Sequence, residues 1–296
     1  MALLGATGQL GHDITRVART IGIDLAPLSH EEIEITDIEN VKKALAKAQP
    51  NVVINSAAFH QVDRCEEDPV EAFRVNGLGA LNVARSVKAL GARCVYVSTD
   101  YVFSGEKPHP KDGLTNVHNS YTEDDRPSPL NVYGVSKLAG EQLTAIAQPE
   151  ALIVRVASLF GVAGARGKGG NFIETILKKA RENAQLQVVS DQFMTPTYTM
   201  DAASAILRLV ELGTQGVVHV SNSGACSWYE FASRAVEFAG VNTTIHPVPS
   251  SSYPSKARRP INSALNTSLV SQLLGGPLRG WEDALHAYLV EKGHIS

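Results

Sequence analysis

Short apolar runs alternate with longer amphipathic stretches along most of the chain. The runs over 24–28, 51–56, 93–98 and 151–157 read as strands, 51–56 and 151–157 with the apolar runs expected of buried strands in a parallel sheet. Met1-Ala-Leu-Leu reads as a further short strand. Between and after these runs the helical period predicts helices over about 9–21, from Asp37 to near Gln49, over about 70–90, and from Tyr133 onward. Later come helices over about 171–183, 200–212, 281–292 and one ending near Ala239, with strands over 186–189 and 216–221. The last but one helix starts at Ser227-Trp-Tyr-Glu230, which has the spacing of a capping box. Alternation of this kind predicts an α/β fold: a Rossmann-like, doubly wound parallel sheet with a smaller C-terminal α/β lobe. We divide the chain at 1–160 and 161–296, with some chain crossing back to the first part. Two stretches lack periodicity. Residues 105–129 read as a long loop of the length found in lids and binding segments, and 247–263 as irregular chain with a basic centre.

With 296 residues the chain is long enough for a large buried core. Its formal charge of −3, with no basic cluster longer than Lys256-Ala-Arg258-Arg259, argues against a nucleic-acid surface. No apolar run approaches a membrane span, and no basic leader precedes an apolar stretch. Three scattered cysteines, Cys65, Cys94 and Cys226, make neither a disulfide framework nor a zinc site, so a reducing cytoplasm is expected.

Four stretches carry candidate chemistry. Gly5-Ala-Thr-Gly8-Gln-Leu-Gly11 follows the first strand and opens a helix, the setting in which glycines make the tight turn and let a pyrophosphate approach the helix N-terminus. Only four residues precede Gly5, which suggests a trimmed start. Ala57-Ala58 end the third strand with small side chains against which a cofactor can lie, and Asn76 on the next helix is either a contact or an ordinary polar residue. Ser98, Thr99 and Asp100 fall beyond the carboxyl end of the fourth strand, where ligands bind in open parallel sheets. Tyr133 and Lys137, four apart on one helix face, pair a phenol with an ammonium that would lower its pKa and suit it to proton transfer at a carbonyl. Gly164-Ala-Arg-Gly-Lys-Gly-Gly170 is a phosphate loop or a plain connection; Arg258 or Arg259 is a diphosphate clamp or a surface arginine. Trp228 and Tyr229 read as packing residues. No acid or arginine stands clearly at the tip of the second strand, so the choice between NADH and NADPH stays open.

Taken with Asn55-Ser-Ala-Ala58, Val62-Asp63, Ser98-Thr-Asp-Tyr-Val-Phe103, Ser128 to Glu141, Asp191-Gln, Pro196-Thr197, Ser227 to Ala232, Arg259-Pro and Asn262-Ser263, these motifs resemble the dTDP-4-dehydrorhamnose reductase family of the extended short-chain dehydrogenase/reductase superfamily over nearly the whole chain. The resemblance implies NAD(P)H-dependent reduction of the C4 ketone of dTDP-4-dehydro-6-deoxy-L-mannose. It implies Tyr133 as the acid, Lys137 as the partner that lowers its pKa and holds the nicotinamide ribose, and Thr99 as a hydrogen-bond donor to the reacting oxygen. Asp100 and Tyr101, with Ser158, Asn171 and Arg259, would meet the substrate. Gly5, Gly8, Gln9, Leu10 and Gly11 would meet the pyrophosphate, Glu34 and Ile35 the adenine, and Ala57, Ala58, Phe59, His60 and Asn76 the remaining cofactor. Mg²⁺ and a homodimer follow from the resemblance alone, since no carboxylate cluster supports a metal. The chain departs from the family pattern at Glu34, at His60, and at Arg155-Val-Ala-Ser158, where the family has a tryptophan; the last change bears on which sugar is taken. Related readings are another nucleotide-sugar reductase, an epimerase or dehydratase, or a non-catalytic NADP-binding subunit resembling that of methionine adenosyltransferase. Dehydratases of this type carry an acidic pair after the threonine, whereas here Asp100 is followed by Tyr101.

Overall fold

A computed structural model describes residues 1–109, 118–164, 170–182 and 185–295. In the first part, β1 (Ala2–Leu4), α1 (Gln9–Thr20), β2 (Ala26–Leu28), α2 (Ile38–Ala48) and β3 (Val52–Asn55) form a right-handed start to a parallel sheet. Two short helices, α3 (Val62–Glu67) and α4 (Pro69–Phe73), lead through a π-helical turn (Arg74–Gly79) into α5 (Ala80–Ala89). The chain then continues through β4 (Arg93–Thr99), a single 3₁₀ turn (Asp100–Val102), α6 (Val132–Ala147) and β5 (Leu152–Val156).

The second part holds β6 (Leu159–Phe160), α7 (Phe172–Glu182), β7 (Gln185–Val189), β8 (Phe193–Met194), β9 (Thr197–Tyr198) and α8 (Thr199–Glu211). It ends with β10 (Gly216–His219), β11 (Cys226–Ser227), α9 (Trp228–Phe238), β12 (Thr244–Val248), α10 (Ser268–Leu274) and α11 (Trp281–Glu291). The main sheet has six parallel strands in the order β10-β5-β4-β3-β1-β2. Strand order therefore reverses between β1 and β3, and the crevice beyond their carboxyl ends is where a ligand fits. One sheet face packs on α1 and α8 through Leu3, Ile14, Val97 and Ile206; the other packs on α2 and α5 through Leu4, Val41, Val53 and Val83. A separate core of Phe160, Ile173, Phe231 and Tyr288 holds the C-terminal lobe.

Three differences from the sequence expectation have local causes. The helix predicted over 70–90 is interrupted: a π turn at 74–79 admits an extra residue, and it places Asn76 and Gly77 on the buried side. The charged stretch just before the helix predicted over 70–90 forms a separate short helix, α3, ended at Asp68, which caps α4 by accepting from the Glu71 N–H. Strand β12, parallel to β7, and helix α10 escaped detection because both are short. The glycine-rich stretch proposed as a phosphate loop falls mainly on 165–169, outside the described residues.

Helix α6 lies unusually close to β4, and Gly140 is the reason. A Cβ there would stand 2.2 Å from the Tyr96 hydroxyl and 2.3 Å from the Asn76 carbonyl. By contrast, a Cβ at Gly77 would meet its nearest neighbour, Ala139 Cβ, at an ordinary 3.8 Å. Gly140→Ala is therefore expected to lower stability by about 1–3 kcal/mol or more, while Gly77→Ala is neutral or stabilising by up to ~1 kcal/mol. Urea midpoints of the two variants check this.

Candidate active site

The helix α1 turn is built around Gly5, whose φ of 77° suits glycine. A Cβ at Gly11 would sit 2.3 Å from the Gly5 carbonyl oxygen, so only glycine lets this helix start against the strand end. Gly8 is the N-cap of α1 and no side chain caps the helix, leaving its first N–H groups directed at the crevice. Beyond this turn opens a cavity of about 830 Å³, whose wall carries the turn, the ends of β3 and β4, the first turns of α6 and the start of α7 and α9.

The cavity wall gathers most of the predicted residues. Gly5, Gly8, Gln9, Leu10 and Gly11 line one end, with Glu34 and Ile35 nearby and Ala57, Ala58, Phe59 and His60 along the side. Thr99, Asp100, Tyr101, Tyr133 and Lys137 form the middle, and Ser158 and Asn171 lie toward the C-terminal lobe. Two predicted residues are placed differently. Asn76 stands behind the wall, donating to the Phe59 carbonyl and Ser136 hydroxyl (both 3.0 Å) and accepting from the Phe59 N–H at 2.9 Å, so it braces the strand-end loop from behind. Arg259 pairs with Asp63 at 2.9 Å and lies off the cavity wall.

Tyr133 projects from the first turn of α6, where the Asn131 side chain caps the helix by accepting from Gly134 N–H at 2.8 Å. Its ring meets Tyr101 edge-on at 6.0 Å. Lys137, one turn on, is buried; its ammonium donates to the Val97 carbonyl at 2.6 Å and lies 4.0 Å from the centre of the Tyr96 ring. The expectation that this ammonium lowers the Tyr133 pKa is not met in this structure. Removal from water pushes the Tyr133 hydroxyl above its ordinary range, against its hydrogen bond with Thr99. Burial also pushes Lys137 down to about 7, with Glu141 acting the other way. The physical reason is that burial of the phenol is the largest influence on its proton and outweighs what lowers it. Tyr133 therefore holds its proton at neutral pH.

Thr99 donates to Asp100 Oδ1 at 3.0 Å and accepts from the Tyr101 N–H at 3.2 Å. Asp100 is buried, and burial raises its pKa to about 6 despite the nearby hydroxyls of Ser263 and Thr99. Three buried polar atoms on the wall, Gln9 Oε1, Ser98 Oγ and Asp100 Oδ2, make no hydrogen bond within the protein. Open glycine backbone at one end and unpaired polar atoms at the centre fit a dinucleotide lying along the crevice with a polar substrate beside it. At the far cofactor end, burial favours the neutral form of Glu34, but donors from Thr36 (2.9 and 2.7 Å) and the charges of His30 and Arg74 hold its pKa below the ordinary range.

Sequence reasoning missed His30, Arg74, Phe172, Thr175, Trp228 and Phe231 on the wall. Trp228, read as packing, does pack on Phe172 at 4.6 Å, and it also faces the cavity. The signal was present in the capping box: Ser227 and Glu230 fix the start of α9, and Trp228 is its first residue. Among the described residues no three His, Cys, Asp or Glu converge as metal ligands. No described helix is long and apolar enough to cross a membrane.

A model of the RmlD substrate binding domain matches residues 1–293. The chain belongs to this family. The RmlD-family relatives include the spore coat polysaccharide biosynthesis protein SpsK of Bacillus subtilis (strain 168), 38% identical over 288 residues that cover 97% of this chain and 96% of the relative. A dTDP-4-dehydrorhamnose reductase of Mycolicibacterium smegmatis is 34% identical over 287 residues, covering 96% and 83% respectively. The solved dTDP-4-dehydrorhamnose reductase of Bacillus anthracis str. Ames, in complex with NADP, superposes with a TM-score of 0.89 at 33% identity and covers 98% of both chains.

The raised Asp100 pKa has a stability consequence. Because the folded state binds this proton more tightly than the unfolded chain, the contribution is full below pH 4 and is lost as pH rises through 6. Asp100→Asn removes the titration, so its stability relative to wild type should improve by up to roughly 3 kcal/mol between pH 4 and pH 7. Urea unfolding of both proteins at the two pH values measures it.

Proposed function

We propose that this protein reduces the C4 ketone of dTDP-4-dehydrorhamnose to give dTDP-L-rhamnose, using a nicotinamide coenzyme held along the Gly5–Gly11 side of the cavity. The observation that carries the reading is the convergence of Tyr133, Thr99 and Lys137 on one cavity wall whose other end is the glycine turn. The names of the RmlD-family relatives point to the same chemistry. NADPH is the preferred coenzyme of this reading, supported by the NADP complex of the B. anthracis relative and by His30 and Arg74 on the wall near Glu34. The coenzyme, when bound, supplies the hydride.

The chain's own residues do the rest. Tyr133, protonated at neutral pH, gives its proton to the oxygen of the reduced carbonyl. Thr99 hydrogen-bonds that oxygen from the β4 end. Lys137, placed one turn from Tyr133, contributes its donors to the coenzyme ribose and its positive charge to the phenolate left behind, which is where a lowered tyrosine pKa matters. Asp100, with one free carboxylate oxygen, accepts from a sugar hydroxyl. In this reading the coenzyme rests on residues 1–160 and the sugar nucleotide reaches into the 161–296 lobe. Ser158, with a left-handed φ of 42°, stands where the family pattern has a tryptophan, and Phe172 and Trp228 offer aromatic surface on the same cavity. Cys65, Cys94 and Cys226 are buried and form no disulfide, in accord with a reducing cytoplasm. No step is routed through Mg²⁺.

The test is loss of NADPH, and separately NADH, absorbance on addition of enzymatically made dTDP-4-dehydrorhamnose, with the product identified. Tyr133→Phe should lower kcat by about a hundredfold or more while leaving coenzyme Kd within about threefold, because only the proton donor is lost. Undiminished turnover in that variant would refute the assignment.

A further inference from the structure

Behind the site lies a charged pair that the reaction does not use directly. Glu141 follows Lys137 by one turn of α6, and Arg155 rises from β5 to meet it. Arg155 Nε and Nη2 donate to the two Glu141 oxygens at 2.9 and 2.7 Å, a bidentate pair with both side chains 4% exposed. The guanidinium also lies 5.1 Å from the Phe103 ring and 3.4 Å from His219 Nε2. His219 is held neutral by burial, at about 3, so Arg155 is the standing positive charge here.

We propose that the Glu141–Arg155 pair is a positioning device that sets how firmly Lys137 holds its proton. The groups around Lys137 leave this role to Glu141. On its own helix stands Tyr133; from β4 comes Tyr96, whose hydroxyl burial keeps neutral; from the turn after β4 come Asp100 and Tyr101. From α3, Cys65 is buried and Glu66 accepts from the Val132 N–H. In α4 and the π turn, Glu71 and Arg74 pair with each other, and α5 turns Arg85 and Lys88 to solvent. Glu141 is the charge that raises the proton affinity of Lys137 against burial. Arg155 moderates that carboxylate and fixes it one turn from the ammonium. A purely structural ion pair responds alike to loss of either end. An electrostatic one responds oppositely, because one loss removes an anion and the other a cation.

The link to catalysis rests on the proposed role of Lys137, but the titration belongs to the protein alone. The experiment is therefore NMR titration of the intact protein carrying lysine labelled with ¹³C at the ε position, with Lys137 assigned by the signal lost in Lys137→Arg. Glu141→Gln should move the Lys137 midpoint down by about half a pH unit or more, and Arg155→Met should move it up by a similar amount. The double variant should fall between them. Shifts in one direction for both single variants, or no shift in either, would overturn the proposal. Loss of one buried partner can unfold a protein, so Glu141→Asp and Arg155→Lys, which keep the charges, form a second arm. They should stay within about 0.3 unit of wild type; a larger shift would show that contact geometry, rather than charge, governs Lys137. Opposite shifts in a protein that fails to reduce the keto-sugar would refute the proposed function and leave this inference standing.

Discussion

The close approach of α6 to β4 is the constraint on which the rest of the site depends. Gly140 permits it, and Lys137 on the same helix is buried. The lysine therefore ends on the Val97 carbonyl and the Tyr96 face, which fixes the rotation of the helix about its axis. That rotation turns Tyr133 toward the crevice. Asn76 is bound into the same contact, since its carbonyl accepts from the Tyr96 hydroxyl at 2.9 Å while its amide holds the loop after β3. One glycine thus couples α6, with Tyr133 and Lys137, to the cavity wall formed by the loop after β3.

Burial, rather than local charge, dominates the electrostatics of the centre. It raises Tyr133 and Asp100 and lowers Lys137, in each case toward the neutral form. In the proposed reaction such a site would meet a ketone with Tyr133 still carrying its proton. The ammonium's effect on the phenol becomes important only as a negative charge forms there, and this differential effect is what lowers a barrier.

Much of the site was legible because the chemistry sits at strand ends and in the first turns of helices. Gly5, Thr99, Tyr133 and Lys137 were each placed by counting from a strand or a cap, and each lines the cavity. Pattern reading failed where a residue's role depends on three-dimensional approach. Asn76 could be read either as a contact or as an ordinary polar residue, and only the π turn shows that it stands behind the wall. Trp228 looked like packing, yet the second lobe brings it to the cavity. The spacing of Tyr133 and Lys137 likewise showed that they share a face, but not that the lysine's donors would be taken up by Val97. Helix α10 and strand β12 were lost for a simpler reason: seven and five residues give too few turns or alternations to stand out.

The place of β10 at the edge of the main sheet has a consequence for how the chain is made. Its register partner is β5, yet residues 157–215 intervene, and α8 from that interval packs on α1 beside the glycine turn; the Thr199 hydroxyl there bonds to the buried Asp13. During synthesis, the edge of β5 stays unpaired until His219 has emerged. An open parallel edge of Leu, Ile and Val is an invitation to wrong partners. The main sheet is thus finished by a strand from the later part of the chain, and the ribosome must deliver about three quarters of the 296 residues before the crevice acquires its final support.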